Sequence, residues 1–247
     1  MNQRDTIFAK ALPSVSDFCF DQQVVEVFPD MINRSVPGYA SILQTLPQLT
    51  ARFARPGTRL YDLGCSLGAA TLALRKGCEQ TPETEIIAVD NSEAMIERAQ
   101  LHLQGFKSQV PVSLHCEDIR DTVIERASVV VLNFTLQFVP REQRQQLINN
   151  IFAGLVDGGV LLIAEKIVAD DAAIDPVLVD LHHDFKRANG YSELEISQKR
   201  AAIENVMKID SQATHQQRFK EAGFSSSGSW FQCFNFAAML AIKGTAE

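Results

Sequence analysis

Arg59-Leu60-Tyr61-Asp62-Leu63-Gly64-Cys65-Ser66-Leu67-Gly68-Ala69-Ala70 runs from a short apolar strand pattern through a glycine turn into a helix of small residues. Gly64 puts no Cβ between the backbone and a ligand lying flat against it, and it takes the positive φ that a sharp strand-to-helix turn demands. Gly68 lets the helix pack tightly on a sheet. The unpaired N–H groups at a helix N-terminus suit an oxygen-rich ligand such as a carboxylate or phosphate. Asp62 at the strand end repels a phosphate at closest range and prefers an ammonium or a bound water. Taken alone, the turn reads equally as a plain loop and as a nucleotide site.

The next strand separates those readings. Glu85-Ile86-Ile87-Ala88-Val89 is apolar and β-branched, and it ends at Asp90-Asn91-Ser92 before a helix through Ala94-Met95-Ile96-Glu97-Arg98-Ala99. An acid at the tip of the strand after a glycine loop is where dinucleotide-type folds hold a ribose diol, because one carboxylate accepts from both hydroxyls. Ser92 caps the helix, and capping by Asp90 or Ser92 is compatible with ribose binding.

Val110 to Cys116 reads as a third strand, closed by Glu117-Asp118-Ile119-Arg120-Asp121. Asp118 there accepts from the exocyclic amine of a purine while Ile119 lies on the ring face, or else the segment is a solvated acidic turn. Ala127-Ser128-Val129-Val130-Val131-Leu132 is almost wholly apolar, as a central strand covered on both faces must be. It delivers Asn133 at its carboxyl end, where open α/β sheets bind ligands. A helix over 141–155, a turn at Asp157-Gly158-Gly159 and a fifth strand, Val160 to Ala164, ending at Glu165-Lys166, continue the alternation. Strands alternating with helices imply parallel pairing with right-handed crossovers, an α/β fold. Residues 176–222 carry no convincing strand and read as a helical insertion, a lid over the strand ends. Ser229 to Phe236 and Ala238 to Ile242 read as an antiparallel hairpin at the sheet edge. At the other end, residues 1–34 read as an arm whose Phe18, Phe20, Phe28 and valines pack onto the domain. After the break at Val36-Pro37-Gly38-Tyr39, the spacing of Ile42, Leu43, Leu46 and Leu49 predicts a helix. Tyr39 reads either as packing or as a phenol touching a ligand carboxylate.

The chain has 247 residues, of which 46% are hydrophobic, enough for one domain over 1–247 with one sizeable core. A net charge of -7 disfavours extended contact with a phosphate backbone. The five cysteines, at 19, 65, 78, 116 and 233, form no CxxC pair, which fits neither a zinc site nor a disulfide framework and points to a reducing cytoplasm. No apolar run is long enough to span a bilayer, and Met1-Asn2-Gln3-Arg4-Asp5 lacks a signal peptide's apolar core. His182-His183-Asp184 does not predict a metal, because adjacent histidines on a helix point about 100° apart and no further Cys or His lies nearby.

Asp62 to Gly68, with Asp90, Asp118 and Asn133 following in order, resembles the class I S-adenosylmethionine-dependent methyltransferase fold over about residues 35–245. That resemblance implies a Rossmann-like, seven-stranded, mostly parallel sheet with an antiparallel C-terminal strand. Longer runs are similar to the family of carboxy-S-adenosyl-L-methionine synthases of the wobble-uridine tRNA modification pathway. They are Val27 to Met31, Ser35 to Tyr39, Leu132 to Phe138, His182 to Arg200 and Trp230 to Phe236, and the similarity covers nearly the whole chain.

The resemblance implies an enzyme that turns S-adenosylmethionine and prephenate into carboxy-S-adenosylmethionine and phenylpyruvate. A partner tRNA carboxymethyltransferase then uses the product, so this step needs no RNA. It also implies a homodimer. Gly64, Cys65 and Ser66 then form the cofactor loop, Asp90 and Asn91 hold the ribose, Asp118 and Ile119 the adenine, and Asn133 the methionyl side. The catalytic pair is Arg200, clamping the new carboxylate through two parallel charge-assisted hydrogen bonds, and Tyr39, adding a phenol hydrogen bond. If the lid crosses the dimer interface, Arg200 serves the neighbouring site. A sulfonium ylide that captures carbon dioxide must be kept from water, which gives the lid its purpose. Two rival readings share the cofactor residues: an ordinary methyltransferase acting on a small molecule or tRNA, which has no use for an arginine at the methyl group, and a non-catalytic S-adenosylmethionine-binding protein.

Overall fold

Two helices precede the first strand. α1 (Gln22–Ser35) starts at Asp21, whose carboxylate accepts from the amides of Gln23 and Val24, and α2 (Tyr39–Phe53) follows Gly38. Strands and helices then alternate: β1 (Arg59–Leu63), α3 (Ala69–Gly77), β2 (Glu85–Asp90), α4 (Glu93–Gln104) and β3 (Val112–Cys116). A loop leads to β4 (Ala127–Asn133), then α5 (Arg141–Gly154) and β5 (Leu155–Val168). The insertion consists of α6 (Ile174–Ala188), α7 (Glu193–Ile203), β6 (Asp210–Ser211) and α8 (Gln212–Ala222), before the hairpin of β7 (Ser226–Cys233) and β8 (Phe236–Ile242). This computed structural model describes residues 3–245, so Met1 and Asn2, which begin the expected arm and the stretch read for a signal peptide, lie outside the described residues, as do the last two residues of the expected domain.

The strands form one sheet in the order β3-β2-β1-β4-β5-β8-β7, with β6 beside β5 off that path. β3 to β5 pair in parallel, and β8 and β7 run antiparallel. The central position of β4 follows from its composition. Successive side chains point to opposite faces, so Val130 and Leu132 join one core with Leu147, Ile148 and Ile151 of α5 and Phe219 of α8. Val129 and Val131 join the opposite core with Leu46 of α2 and Ala70, Ala73 and Leu74 of α3. Burial of each such Val or Leu contributes about 1.5–3 kcal/mol, and a strand polar on either face would forfeit one of the two layers. The exception, Ser128, accepts a 2.7 Å hydrogen bond from the Thr58 hydroxyl.

Two local expectations change. Asp157-Gly158-Gly159 is not a turn before the fifth strand but lies inside β5. Gly158 N–H donates to the Lys243 carbonyl and Lys243 N–H to the Gly159 carbonyl, both at 2.9 Å, so pairing past the end of β8 continues through an irregular stretch in which Gly158 takes a φ of +72°. The insertion holds a strand, β6, whose Asp210 and Ser211 pair with Ile167 and Val168 of β5. Among the described residues no helix is long and apolar enough to cross a membrane.

Among the described residues, the segment before α1 forms no helix or strand, yet it is tied to α7. The Gln198 amide donates to the carbonyls of Phe8 and Lys10 at 2.9 Å each and accepts from Leu12 N–H at 2.8 Å. Phe18 N–H donates to Ala202 at 3.0 Å, and Asn205 donates to the Asp17 carboxylate at 2.8 Å.

Asp210 secures the other side of the insertion. Its carboxylate meets Arg144 of α5 at 2.5 Å, Arg218 of α8 at 2.8 Å and the exposed Arg141 at 3.2 Å. Arg144 is only 1% exposed and also donates to the carbonyls of Val139 and Gln137. Asp210→Ala leaves buried guanidinium groups without their carboxylate and is expected to cost about 3–5 kcal/mol in urea unfolding. Arg141→Ala, at the solvated edge of the same cluster, is expected to cost no more than ~1 kcal/mol.

Candidate active site

The carboxyl ends of β1, β2, β4 and β5 open onto one cavity of about 560 Å³, roofed by α6 and α7 and by the arm. Gly64 has φ of +83°, and a Cβ placed there would lie 2.3 Å from the Thr135 side chain, so both backbone conformation and space require glycine. Gly64 N–H and Cys65 N–H both donate to the Val89 carbonyl, at 2.8 and 2.9 Å. Asp90 locks the turn from the next strand: one carboxylate oxygen accepts from Ser66 N–H at 2.8 Å, the other from Ser92 N–H at 3.0 Å. Burial raises its pKa against those hydrogen bonds. The loop and the acid at the tip of β2 are thus one construction.

Gly64, Ser66, Asp90, Asn91, Asp118, Ile119, Asn133 and Arg200 all line this cavity, so the strand-end residues expected from sequence converge. Asn133 offers an unpartnered oxygen: its Oδ1 is buried with no hydrogen bond among the described residues, as a group reserved for a ligand would be. Asp118 is paired with Arg120 at 2.5 Å, and that hydrogen bond holds its carboxyl below the usual range. Arg200 is more than half exposed and pairs with Glu204 one helical turn on.

Two expected residues lie behind the wall. Tyr39, expected at a ligand carboxylate, is buried in a cluster with Ile42, Phe134 and Phe236, its ring centroid 6.2 Å from that of Phe134. Burial, and then the charge of Asp62, push its phenol well above the ordinary range. The Cys65 side chain is likewise buried, and burial pushes its thiol up, so it is neutral. Neither residue is part of the lining.

Sequence reasoning did not single out the opposite wall. Lys166 at the end of β5, Lys186 on α6 and Lys199 on α7 face the cavity beside Arg200. Burial, and then the neighbouring Lys199 and Lys166, push Lys186 down to about 7. Burial also takes Lys199 down to about 8, against the pull of Asp5, while its ammonium donates to the Ser35 hydroxyl at 2.9 Å. His182 is pushed to about 2, mainly by burial; it is neutral and donates Nε2–H to the Ser35 carbonyl at 2.8 Å. The one signal in the sequence was position, since Lys166 lies two residues past the apolar run Val160 to Ala164, toward the ligand-binding end of the strand.

Glu165 fixes the loop between these walls. Its buried carboxylate accepts from the amides of Leu136 and Gln137 at 2.9 Å each, and the Gln137 side chain in turn accepts from Lys166 N–H at 3.1 Å. Phe134, at φ of +63°, donates its N–H to the Ala164 carbonyl at 2.7 Å and accepts from the Gln137 side-chain amide at 3.3 Å, which holds it in the left-handed region. The remaining wall is aromatic: Phe20 from the arm meets Phe138 edge-on at 5.4 Å, and the Ser92 hydroxyl holds the Phe20 carbonyl at 2.7 Å. Among the described residues no group of three or more His, Cys, Asp or Glu side chains converges on a metal position.

Comparison with known proteins bears on the family and the fold. Residues 60–159 match the family model described as a methyltransferase domain. The chain is 70% identical over 243 residues to a carboxy-S-adenosyl-L-methionine synthase of Idiomarina loihiensis, covering 98% of this chain and 100% of the relative. It is 59% identical over 245 residues to one of Aeromonas hydrophila, covering 99% and 98%. Among solved structures, human N-acetylserotonin methyltransferase in complex with SAM superposes with a TM-score of 0.61 at 18% identity, over 91% of this chain and 56% of that one. A putative methyltransferase of Haloferax volcanii, solved with the Trm112 activator, superposes at 0.59 and 15% identity, over 90% and 97%. The sheet is that of the class I methyltransferases.

Asp62 supplies a pH test of the ligand-free site. It is fully buried; one carboxylate oxygen accepts from the Thr71 hydroxyl at 2.6 Å and the other has no partner among the described residues. Burial first, and Asp90 as the nearby like charge, raise its pKa from 3.8 to about 7. A raised pKa means that the folded state keeps a proton that the unfolded state releases, so stability falls as pH rises from about 4 through about 7, by on the order of 4 kcal/mol in full. Asp62→Asn carries no charge to bury and is expected to gain on the wild type between about pH 5 and about pH 8 in urea unfolding. Parallel pH profiles for the two proteins would contradict the assignment.

Proposed function

The chain belongs to the carboxy-S-adenosyl-L-methionine synthase family, and we propose that its cavity takes S-adenosyl-L-methionine together with prephenate and returns carboxy-S-adenosyl-L-methionine and phenylpyruvate. It is a transferase that uses S-adenosyl-L-methionine. The observation that carries the proposal is the placement of Arg200 on the cavity that also holds Gly64, Asp90 and Asn133. A methyltransferase has no use for a guanidinium where a methyl group departs; a synthase that makes a carboxylate there does.

The roles follow the chemistry of each group. Asp90 and Asn91 hold the ribose, Asp118 and Ile119 the adenine, the Gly64-Cys65-Ser66 turn the path between them, and Asn133 the methionyl side through its free oxygen. Asp62 braces the turn from behind by accepting from the Thr71 hydroxyl of α3. Tyr39 acts from the second row, by supporting Phe134.

The positive sulfur acidifies its methyl group. Prephenate loses its ring carboxylate as carbon dioxide and its ring hydroxyl as hydroxide, the electron pair of the broken C–C bond completing the aromatic ring. The methyl proton and the hydroxide form water, the ylide carbon attacks carbon dioxide, and Arg200 receives the new carboxylate by a paired, charge-assisted contact. Glu204 holds Arg200 until then. The apolar rings of Phe20 and Phe138 exclude water that would quench the ylide.

The protein works in the cytoplasm as a homodimer and passes its product to a tRNA carboxymethyltransferase, with residues 176–222 as the lid. Ile174, Val177 and Leu181 lie on one exposed stripe of α6, and this stripe supports pairing with a second copy. Val177→Asp is expected to shift sedimentation toward the monomer.

Mass spectrometry after incubation with both substrates is expected to show a species heavier than S-adenosyl-L-methionine by one carbon dioxide, formed only with prephenate. Arg200→Ala is expected to weaken binding of that product about 10- to 100-fold with S-adenosyl-L-methionine affinity retained. Demethylated S-adenosyl-L-methionine as the sole product would replace carboxylation with methyl transfer.

A further inference from the structure

Four cationic side chains from three elements share one wall of the cavity: Lys166 of β5, Lys186 of α6, and Lys199 and Arg200 of α7. Two of them are already answered. Arg200 pairs with Glu204, and Lys199 donates to the Ser35 hydroxyl with Asp5 at 3.6 Å. Lys166 and Lys186 have no carboxylate within ion-pair distance among the described residues. The facing acids are few: Glu204 is held by Arg200, and one oxygen of Asp175 accepts from Ala169 N–H at 2.8 Å. Like charges gathered out of water oppose folding unless something on the other side compensates them. His182 is neutral and committed to the Ser35 carbonyl, and burial, with Lys186 next to it, lowers the pKa of His183, the other histidine on the cavity.

Beneath the lysines lies an apolar floor. Lys166 sits 6.0 Å from the Phe236 ring centroid, and the Phe236 ring meets Phe134 at 6.1 Å and the His182 ring at 4.8 Å, both edge-on. Ammonium groups beside flat rings suit a ligand that is itself a carboxylated ring.

We infer that Lys166 and Lys186, flanked by Lys199, form a second carboxylate site opposite the adenosyl end, which binds the carboxyl donor as a dianion over the Phe236 floor. The inference rests on the proposed use of a dicarboxylate donor and assigns that donor its place. The dianion enters where four positive groups converge. When one carboxyl carbon moves to the sulfonium methyl, the two negative charges end on two molecules: the new carboxylate on Arg200, and the single remaining carboxylate on the lysines. A monoanion satisfies a two-lysine site less well than the dianion did, so the spent donor leaves first.

The test uses the full-length protein with Lys166→Met, Lys186→Met and Lys186→Arg. Each Lys→Met change is expected to raise the KM for prephenate about tenfold or more with little change in S-adenosyl-L-methionine affinity, and Lys186→Arg to stay near wild type. Removing an uncompensated charge is also expected to leave the ligand-free variants at least as heat-stable as wild type, while prephenate no longer raises their Tm. Phenylpyruvate is expected to bind wild type about tenfold more weakly than prephenate, a gap that closes in the double Lys→Met variant. Unchanged KM and an unchanged prephenate shift in Tm, in variants alongside a wild type that makes the carboxylated product, would overturn the lysine site and leave the proposed reaction standing. Lysine-dependent prephenate binding by a wild type that makes no carboxylated product would keep the site and overturn the reaction.

Discussion

Burial of β4 on both faces governs the rest of the molecule. Its valines and leucine face two different helix layers, so no side chain of the strand body can meet water or ligand. Polar chemistry is confined to the point where the strand stops, at Asn133 and the loop through Phe138. Parallel pairing puts the ends of β1, β2 and β5 at the same level, and the acids found there fasten loops to one another. Asp90 takes amides from the turn after β1 and from its own helix, while Glu165 takes two amides from the loop after β4. These carboxylates make the cavity rim by satisfying backbone donors that the strand ends would leave open.

Much of this was legible because it is local. A continuous apolar run, a glycine turn and an acid at a strand tip are each contained within a dozen residues, and topology supplies their common level in space. Asp118 and Asn133 could be placed for the same reason. Arg200 was reached only through the long runs of family resemblance, since a helical arginine beside a glutamate reads as a surface pair. Lys166, Lys186 and Lys199 escaped notice because they converge from a strand and two helices whose mutual packing has no periodic trace. Tyr39 shows the converse: its position before a helix was clear, but burial behind Phe134 depends on Phe236, nearly two hundred residues later. β6 is two residues long and exists through its partner in β5, so no pattern within it could announce a strand.

The cavity is electrically lopsided. Asp90 and Asp118 lie by the ends of β2 and β3, with Arg120 paired to Asp118, while on the other wall Lys166, Lys186, Lys199 and Arg200 outnumber Asp175 and Glu204. Such an arrangement fits a ligand pair of opposite charge better than it fits a single neutral molecule, because each wall is costly to bury without its counterion. Neutral His182 stands between the lysines without adding to their repulsion, held by a backbone carbonyl that a charged imidazole would not be needed to engage.

The three hydrogen bonds of Gln198 to the segment around Phe8, Lys10 and Leu12 span sequence separations of 186 to 190 residues. During synthesis, that segment leaves the ribosome long before its partners on α7 exist. The strands around β4 can pair while it waits, but the roof of the cavity cannot close until α7 has emerged. Loop closure over so long a separation comes late in folding. The roof is therefore added after the parallel strands β1 to β5, while β8, which brings Phe236, emerges later still.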